Sequence, residues 1–177
     1  MSKCVEAGYA GLLVKARSAN DKRALQALAA IGPPPFDGMQ KMMVYFHLLE
    51  QFAVASDRAA LAFSNGSLLN PAPGDSLLDE YHRIQGLPLP DLALYQEMMS
   101  ADLPSYGTNF KIPIYFFQGM EDDETPAALA EEYFQEIHSP RKDLVLFEGG
   151  GHFAVWSMAD RFLRELTARV RPVAAQP

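Results

Sequence analysis

Two residues are suited by type and placement to acid–base chemistry. Asp122 lies in Gln118-Gly119-Met120-Glu121-Asp122, and His152 lies in Gly149-Gly150-Gly151-His152-Phe153. Each follows a short apolar run that reads as a strand. If those strands are parallel neighbours, both loops open on the same sheet edge, where such sheets place their sites. A carboxylate there can accept the Nδ1 proton of the imidazole, fix its tautomer and stabilise the imidazolium. That is the acid–base half of a nucleophilic triad. The plain alternative makes Asp122 a turn residue and His152 a polar loop residue. The equivalent positions at two strand ends favour the pair.

Other polar clusters suggest less. His47 lies between Phe46 and Leu48, and His82 follows Tyr81, so both read as packing or surface residues. Glu121, Asp122, Asp123 and Glu124 lack the spaced ligands and central glycine of a calcium loop. The histidines show no metal-ligand spacing, and no metal or cofactor is expected. The triple glycine before His152 has no Gly-Lys-Ser/Thr after it, which argues against a phosphate loop.

The elements that must position Asp122 and His152 begin at Lys111. Ile112–Phe117 is an almost wholly apolar run rich in β-formers, predicting a buried strand. Thr125 is expected to cap, and Pro126 to start, a helix with Leu129, Tyr133, Phe134 and Ile137 inward. Leu144-Val145-Leu146-Phe147 predicts a second strand. A last helix carries Met158, Phe162, Leu166 and Val170 on one stripe, with Ser157 and Asp160 as its cap. The result is a βαβα unit with two parallel strands and a right-handed crossover.

Residues 1–110 read as successive helices. Tyr9, Leu12, Leu13 and Ala16 mark the first. Asn20 is expected to cap a second, with Ala24, Leu25, Leu28 and Ile31 inward, which ends at Gly32-Pro33-Pro34-Pro35. A third places Met39, Met42, Met43, Phe46, Leu49 and Phe52 on one side, the methionines filling core or interface. A loop runs from Ser64 to Asp75. Asp75 and Asp91 then cap two short helices separated by Gly86-Leu87-Pro88-Leu89-Pro90.

Composition narrows the function classes. The 177 residues are 49% hydrophobic and 21% charged, which excludes a disordered or fibrous chain. A formal charge of −7 disfavours nucleic acid or an anionic membrane as partner. No apolar stretch approaches the roughly 18 residues of a membrane span. The opening residues, with Glu6 and Lys15, read as a helix of the mature protein rather than a leader. Asn65-Gly66-Ser67 is read as a turn. Cys4 is the only cysteine, which forbids an intrachain disulfide and makes a reducing cytoplasm the default expectation.

Residues 111–172, from Lys-Ile-Pro-Ile-Tyr-Phe-Phe-Gln-Gly-Met-Glu-Asp through Gly-Gly-Gly-His-Phe to the last helix, resemble the C-terminal part of an α/β-hydrolase. The resemblance is nearest the proline iminopeptidase (prolyl aminopeptidase)-like branch. Ala16-Arg17-Ser18-Ala19-Asn20-Asp21, Leu28-Ala29-Ala30-Ile31-Gly32-Pro33-Pro34-Pro35 and Ser139-Pro140-Arg141-Lys142 extend it over nearly the whole chain. It implies a truncated α/β-hydrolase, with 1–110 as a helical cap-like region and 111–177 as the last two strands with their helices. It also implies Asp122 as triad acid and His152 as triad base, acting on small esters, amides or an N-terminal prolyl peptide.

The sequence departs from that family in the nucleophile. No Gly-x-Ser-x-Gly elbow occurs, nor a His-Gly-Gly-type oxyanion loop, nor the strands that precede them. Ser64, Ser67, Ser105, Ser157 and Cys4 are the replacements by residue type, and the sequence singles out none. Two functions follow as expectations: hydrolysis through the Asp122–His152 pair, or a non-catalytic remnant that binds or self-associates. Loss of a sheet neighbour would leave the edge of Ile112–Phe117 open, predicting a homodimer in which that strand pairs with its symmetry mate.

Overall fold

The computed structural model describes residues 1–60, 76, 94 and 97–174. Ser64, Ser67, His82, the loop from Ser64 to Asp75, the Asp75 and Asp91 caps and the segment Gly86–Pro90 lie outside the described residues. The protein is helix-rich and mixed α/β, with one two-stranded parallel sheet. No helix among the described residues is long and apolar enough to cross a membrane. Two compact units emerge. One holds Met1–Gln51 and the described residues up to Ala101; the other holds Phe52–Ala60 and the chain from Asp102 onward.

The first unit contains α1 (Ser2–Ser18), α2 (Lys22–Ile31) and most of α3 (Met39–Phe52). Its core comprises Val5, Leu12 and Ala16 of α1, Ala24, Leu28 and Ile31 of α2, and Met42, Tyr45, Leu48 and Leu49 of α3. Asp21, rather than Asn20, caps α2: its carboxylate accepts the Arg23 and Ala24 amides at 3.0 Å. Asn20 instead turns the chain at φ +52°, a left-handed conformation asparagine tolerates. Asp21 also accepts from Gln51 at 2.8 Å, tying the start of α2 to α3. The buried face of α3 differs from the expected stripe. Tyr45 and Leu48 are buried while Met43 is 57% exposed, because Phe36 packs on Tyr45 with ring centroids 5.5 Å apart and turns that face inward.

The second unit carries the helical residues 55–60, a 3₁₀ turn (Leu103–Tyr106), β1 (Ile114–Gly119), α4 (Ala127–Glu136), β2 (Lys142–Phe147), α5 (Ala154–Ser157), α6 (Ala159–Arg169) and α7 (Arg171–Ala174). The strands pair in parallel from Ile114 opposite Lys142 to Gly119 opposite Phe147. Both differ from the expected bounds. β1 starts two residues later than Ile112, since Pro113 has no amide to donate and the Ile112 carbonyl accepts from Ser139. It runs on to Gly119 because Gln118 and Gly119 still face Leu146 and Phe147.

Alternation along β1 faces successive phenylalanines to opposite sides. Phe116 meets Phe134 of α4 at 5.6 Å, and Phe117 meets Phe162 of α6 at 5.2 Å. Helices therefore cover both faces. Val145, Phe147 and Ala154 form the buried cluster, with Phe117, Met158 and Phe162 against it. Lys142 reaches back to the Phe134 and Ile137 carbonyls at 2.7 and 2.8 Å, closing the C-terminal end of α4 with a cation. Arg169 ties α6 to β2 through Asp143 at 2.6 Å. The expected single last helix is broken at Met158 (φ −122°), and neither Ser157 nor Asp160 caps α6. Met158 is its N-cap residue, without a side-chain bond.

Candidate active site

The two strand-end loops are joined by backbone bonds. Past β1, the Met120 amide donates to the Phe147 carbonyl at 3.0 Å and the Glu121 amide to Gly150 at 2.9 Å. Gly119 allows this closeness: a Cβ there would collide with the Gly150 and Gly151 carbonyls. The loops are thus held in fixed register, and Asp122 and His152 meet. His152 Nδ1 lies 3.1 Å from Asp122 Oδ2.

Asp122 is set by its own turn. Oδ1 accepts the Glu124 and Thr125 amides at 2.9 and 2.8 Å. Oδ2 accepts from the Thr125 hydroxyl at 2.7 Å and the Gln118 amide group at 2.9 Å, besides the imidazole. Thr125 therefore spends its hydroxyl on Asp122 rather than capping α4, whose N-cap is Pro126. Burial alone would push the Asp122 carboxyl up. Hydrogen bonds from His152 and Thr125 outweigh it and hold the group below the usual carboxylate range. An ionised Asp122 only accepts, so the proton between the pair resides on Nδ1 and leaves Nε2 as the basic nitrogen.

The bond to Asp122 raises the His152 imidazole above its ordinary value against the opposing effect of burial, and Glu124, Asp122 and Asp57 add favourable charge. Glu124 Oε2 stands 3.6 Å from Nε2. The His152 side chain is 35% exposed, while that of Asp122 is 4% exposed. Phe153 meets the imidazole edge-on at 5.3 Å, and Trp156, 70% exposed, lies 5.6 Å beyond it. Ionised and exposed on one side, the arrangement can take a proton from a donor presented to Nε2 and return it to a leaving group.

Of the replacement nucleophiles, Ser105 donates to the Asp102 carbonyl at 2.6 Å in the 3₁₀ turn, and the Ser157 hydroxyl is buried without a hydrogen-bond partner among the described residues. Cys4, the one cysteine of the sequence, lies on α1 in the first unit. Among the described residues, the ion-pair and hydrogen-bond partners found for His152 are Asp122 and Glu124. Glu124 and Asp57 are neighbours of His152 that sequence reading did not select. Glu124 was obscured by a run of four acidic residues, whereas Asp57 is too distant in the chain for any spacing to link it. Comparison with protein-family models, with curated proteins and with solved structures finds no match.

Proposed function

We propose that this chain is an α/β-hydrolase-like protein of the proline iminopeptidase-like kind, acting on small esters or amides. His152 serves as general base through Nε2, and Asp122 orients it and stabilises the imidazolium. The observation that carries this reading is the 3.1 Å contact between Asp122 Oδ2 and His152 Nδ1, made by equivalent loops at the C-terminal ends of paired parallel strands. Preference for an N-terminal prolyl group is an extension by analogy to that family. A lone cysteine suits a reducing compartment such as the cytoplasm.

The test is intact mass after treatment with a fluorophosphonate probe, followed by peptide mapping. A single stoichiometric adduct that disappears in His152→Ala supports the reading and identifies the nucleophile. Folded protein that takes up no probe sinks serine-hydrolase catalysis by this chain.

The second reading, a binding or self-associating protein without turnover, draws on Glu124. Its carboxylate stands at the nitrogen a nucleophile would need. Self-association would use β1, which has β2 on one side only among the described residues and no charged side chain in Ile114–Gly119. In this proposal β1 meets its symmetry mate antiparallel across a two-fold axis, giving a four-stranded sheet. Light scattering at micromolar concentration should then return twice the chain mass, and a monodisperse monomer rejects the dimer.

A further inference from the structure

Asp57 is the most buried acidic residue of the second unit, at 2% exposure. A carboxylate in that position costs several kcal/mol unless its surroundings compensate. Its Oδ2 accepts the Phe153 amide at 3.2 Å, and its Oδ1 has no hydrogen-bond partner among the described residues. The segment around it grips the His152 loop at three alternate residues. Ser56 donates to the Gly149 carbonyl at 3.2 Å, and Asp57 takes the Phe153 amide. Gly151 lies so close that a Cβ on it would collide with Asp57 Oδ2 and come within 3.0 Å of Val54 Cγ2.

A hydrogen bond alone does not account for an acid here, since an asparagine would accept the Phe153 amide equally well. A negative charge does more. Asp122 and Glu124, from the loop after β1, stand at the two ring nitrogens, and Asp57, from the helical segment 55–60, lies against Gly151 and Phe153 on either side of His152. An imidazolium formed during proton transfer is stabilised by each.

We propose that Asp57 is a positioning residue for His152, fixing the loop through the Phe153 amide and the approach to Gly151 while supplying a further negative charge between the two residues that flank it. This rests on the reading of Asp122 and His152 as the acid–base pair. Asp57→Asn separates the two roles, because it keeps an acceptor for Phe153 and removes the charge.

The experiment is NMR of histidine-labelled and 15N-labelled protein, following the His152 titration and exchange of the Phe153 amide. Asp57→Asn is expected to move the His152 midpoint down while Phe153 stays protected. Asp57→Ala is expected to move the midpoint down and to speed Phe153 exchange roughly fivefold or more, the loss of one hydrogen bond. A His152 midpoint unchanged in Asp57→Asn overturns the proposal, and this variant decides alone if Asp57→Ala does not fold. Hydrolysis of p-nitrophenyl acetate by Asp122→Asn is measured in parallel. Full activity there overturns the acid–base reading, whereas the NMR midpoints judge Asp57 independently.

Discussion

Glu124 Oε2 lies 3.6 Å from His152 Nε2, and Asp122 Oδ2 lies 3.1 Å from Nδ1, so the ring stands between two carboxylates. The two are not equivalent. The Asp122 side chain is 4% exposed and fixed by five donors, whereas that of Glu124 is 38% exposed. Buried and saturated, Asp122 keeps one geometry. Exposed and screened, Glu124 contributes an attraction of about 1 kcal/mol at most and can be displaced by a substrate.

Glu124→Gln should therefore increase turnover at neutral pH if Nε2 is the working base. Removing the charge lowers the His152 midpoint, enlarges the neutral fraction and opens the ring nitrogen. The expected gain is roughly two- to fivefold in kcat/KM for p-nitrophenyl acetate. A tenfold loss would instead make Glu124 part of the working site.

His152→Ala should lower the same kcat/KM by roughly 10²–10⁴-fold, the usual contribution of a positioned general base. Asp122→Asn should fall in the same range, since an amide cannot stabilise the imidazolium as a carboxylate does. Circular dichroism of both variants should overlay the parent spectrum. Activity surviving both substitutions leaves the pair without a catalytic role.

Stability should peak in mildly acidic solution. Asp122 sits below its ordinary 3.8 in the folded chain, so its contribution is present above that value and is lost as pH falls through the folded value. His152 sits above its ordinary 6.5, so its contribution is complete below 6.5 and is lost as pH rises through the folded value. Urea midpoints between pH 2 and 9 should show both limbs in the parent protein. Asp122→Asn should flatten both, because each shift depends on the other partner. A variant curve parallel to the parent's would assign the pH dependence to other groups.

The pairing of Asp122 with His152 is legible in the sequence, and the reason is topological. A βα crossover returns the chain in parallel, so two loops after adjacent strands must share an edge, and their polar residues can be paired from the sequence. Asp57 was not legible in this way. It reaches the His152 loop from the helical segment 55–60, and no periodicity connects Ser56-Asp57 to Gly149–Phe153. Local competition explains the smaller differences. Asn20 and Asp21 are both capping types, and the one with a carboxylate one residue nearer the helix took the cap. Thr125 was equally fit to cap α4, but the stronger acceptor, an ionised Asp122, claimed its hydroxyl.

Gly119 should tolerate no side chain. It closes β1 opposite Phe147, and an added Cβ would lie 2.5 Å from the Gly150 carbonyl oxygen and 2.8 Å from its carbon. Those atoms are backbone, so relief requires moving the turn that carries His152 rather than rotating a side chain. The same turn accepts the Glu121 amide through Gly150, which links any movement directly to the Asp122 loop. Gly119→Ala is expected to lose roughly 1–3 kcal/mol of stability in urea unfolding. It should also weaken the coupling between Asp122 and His152, so that the His152 midpoint moves down toward that of free histidine. A variant whose stability lies within about 0.5 kcal/mol of the parent, with an unmoved His152 midpoint, would show that the two loops are not held together by this approach.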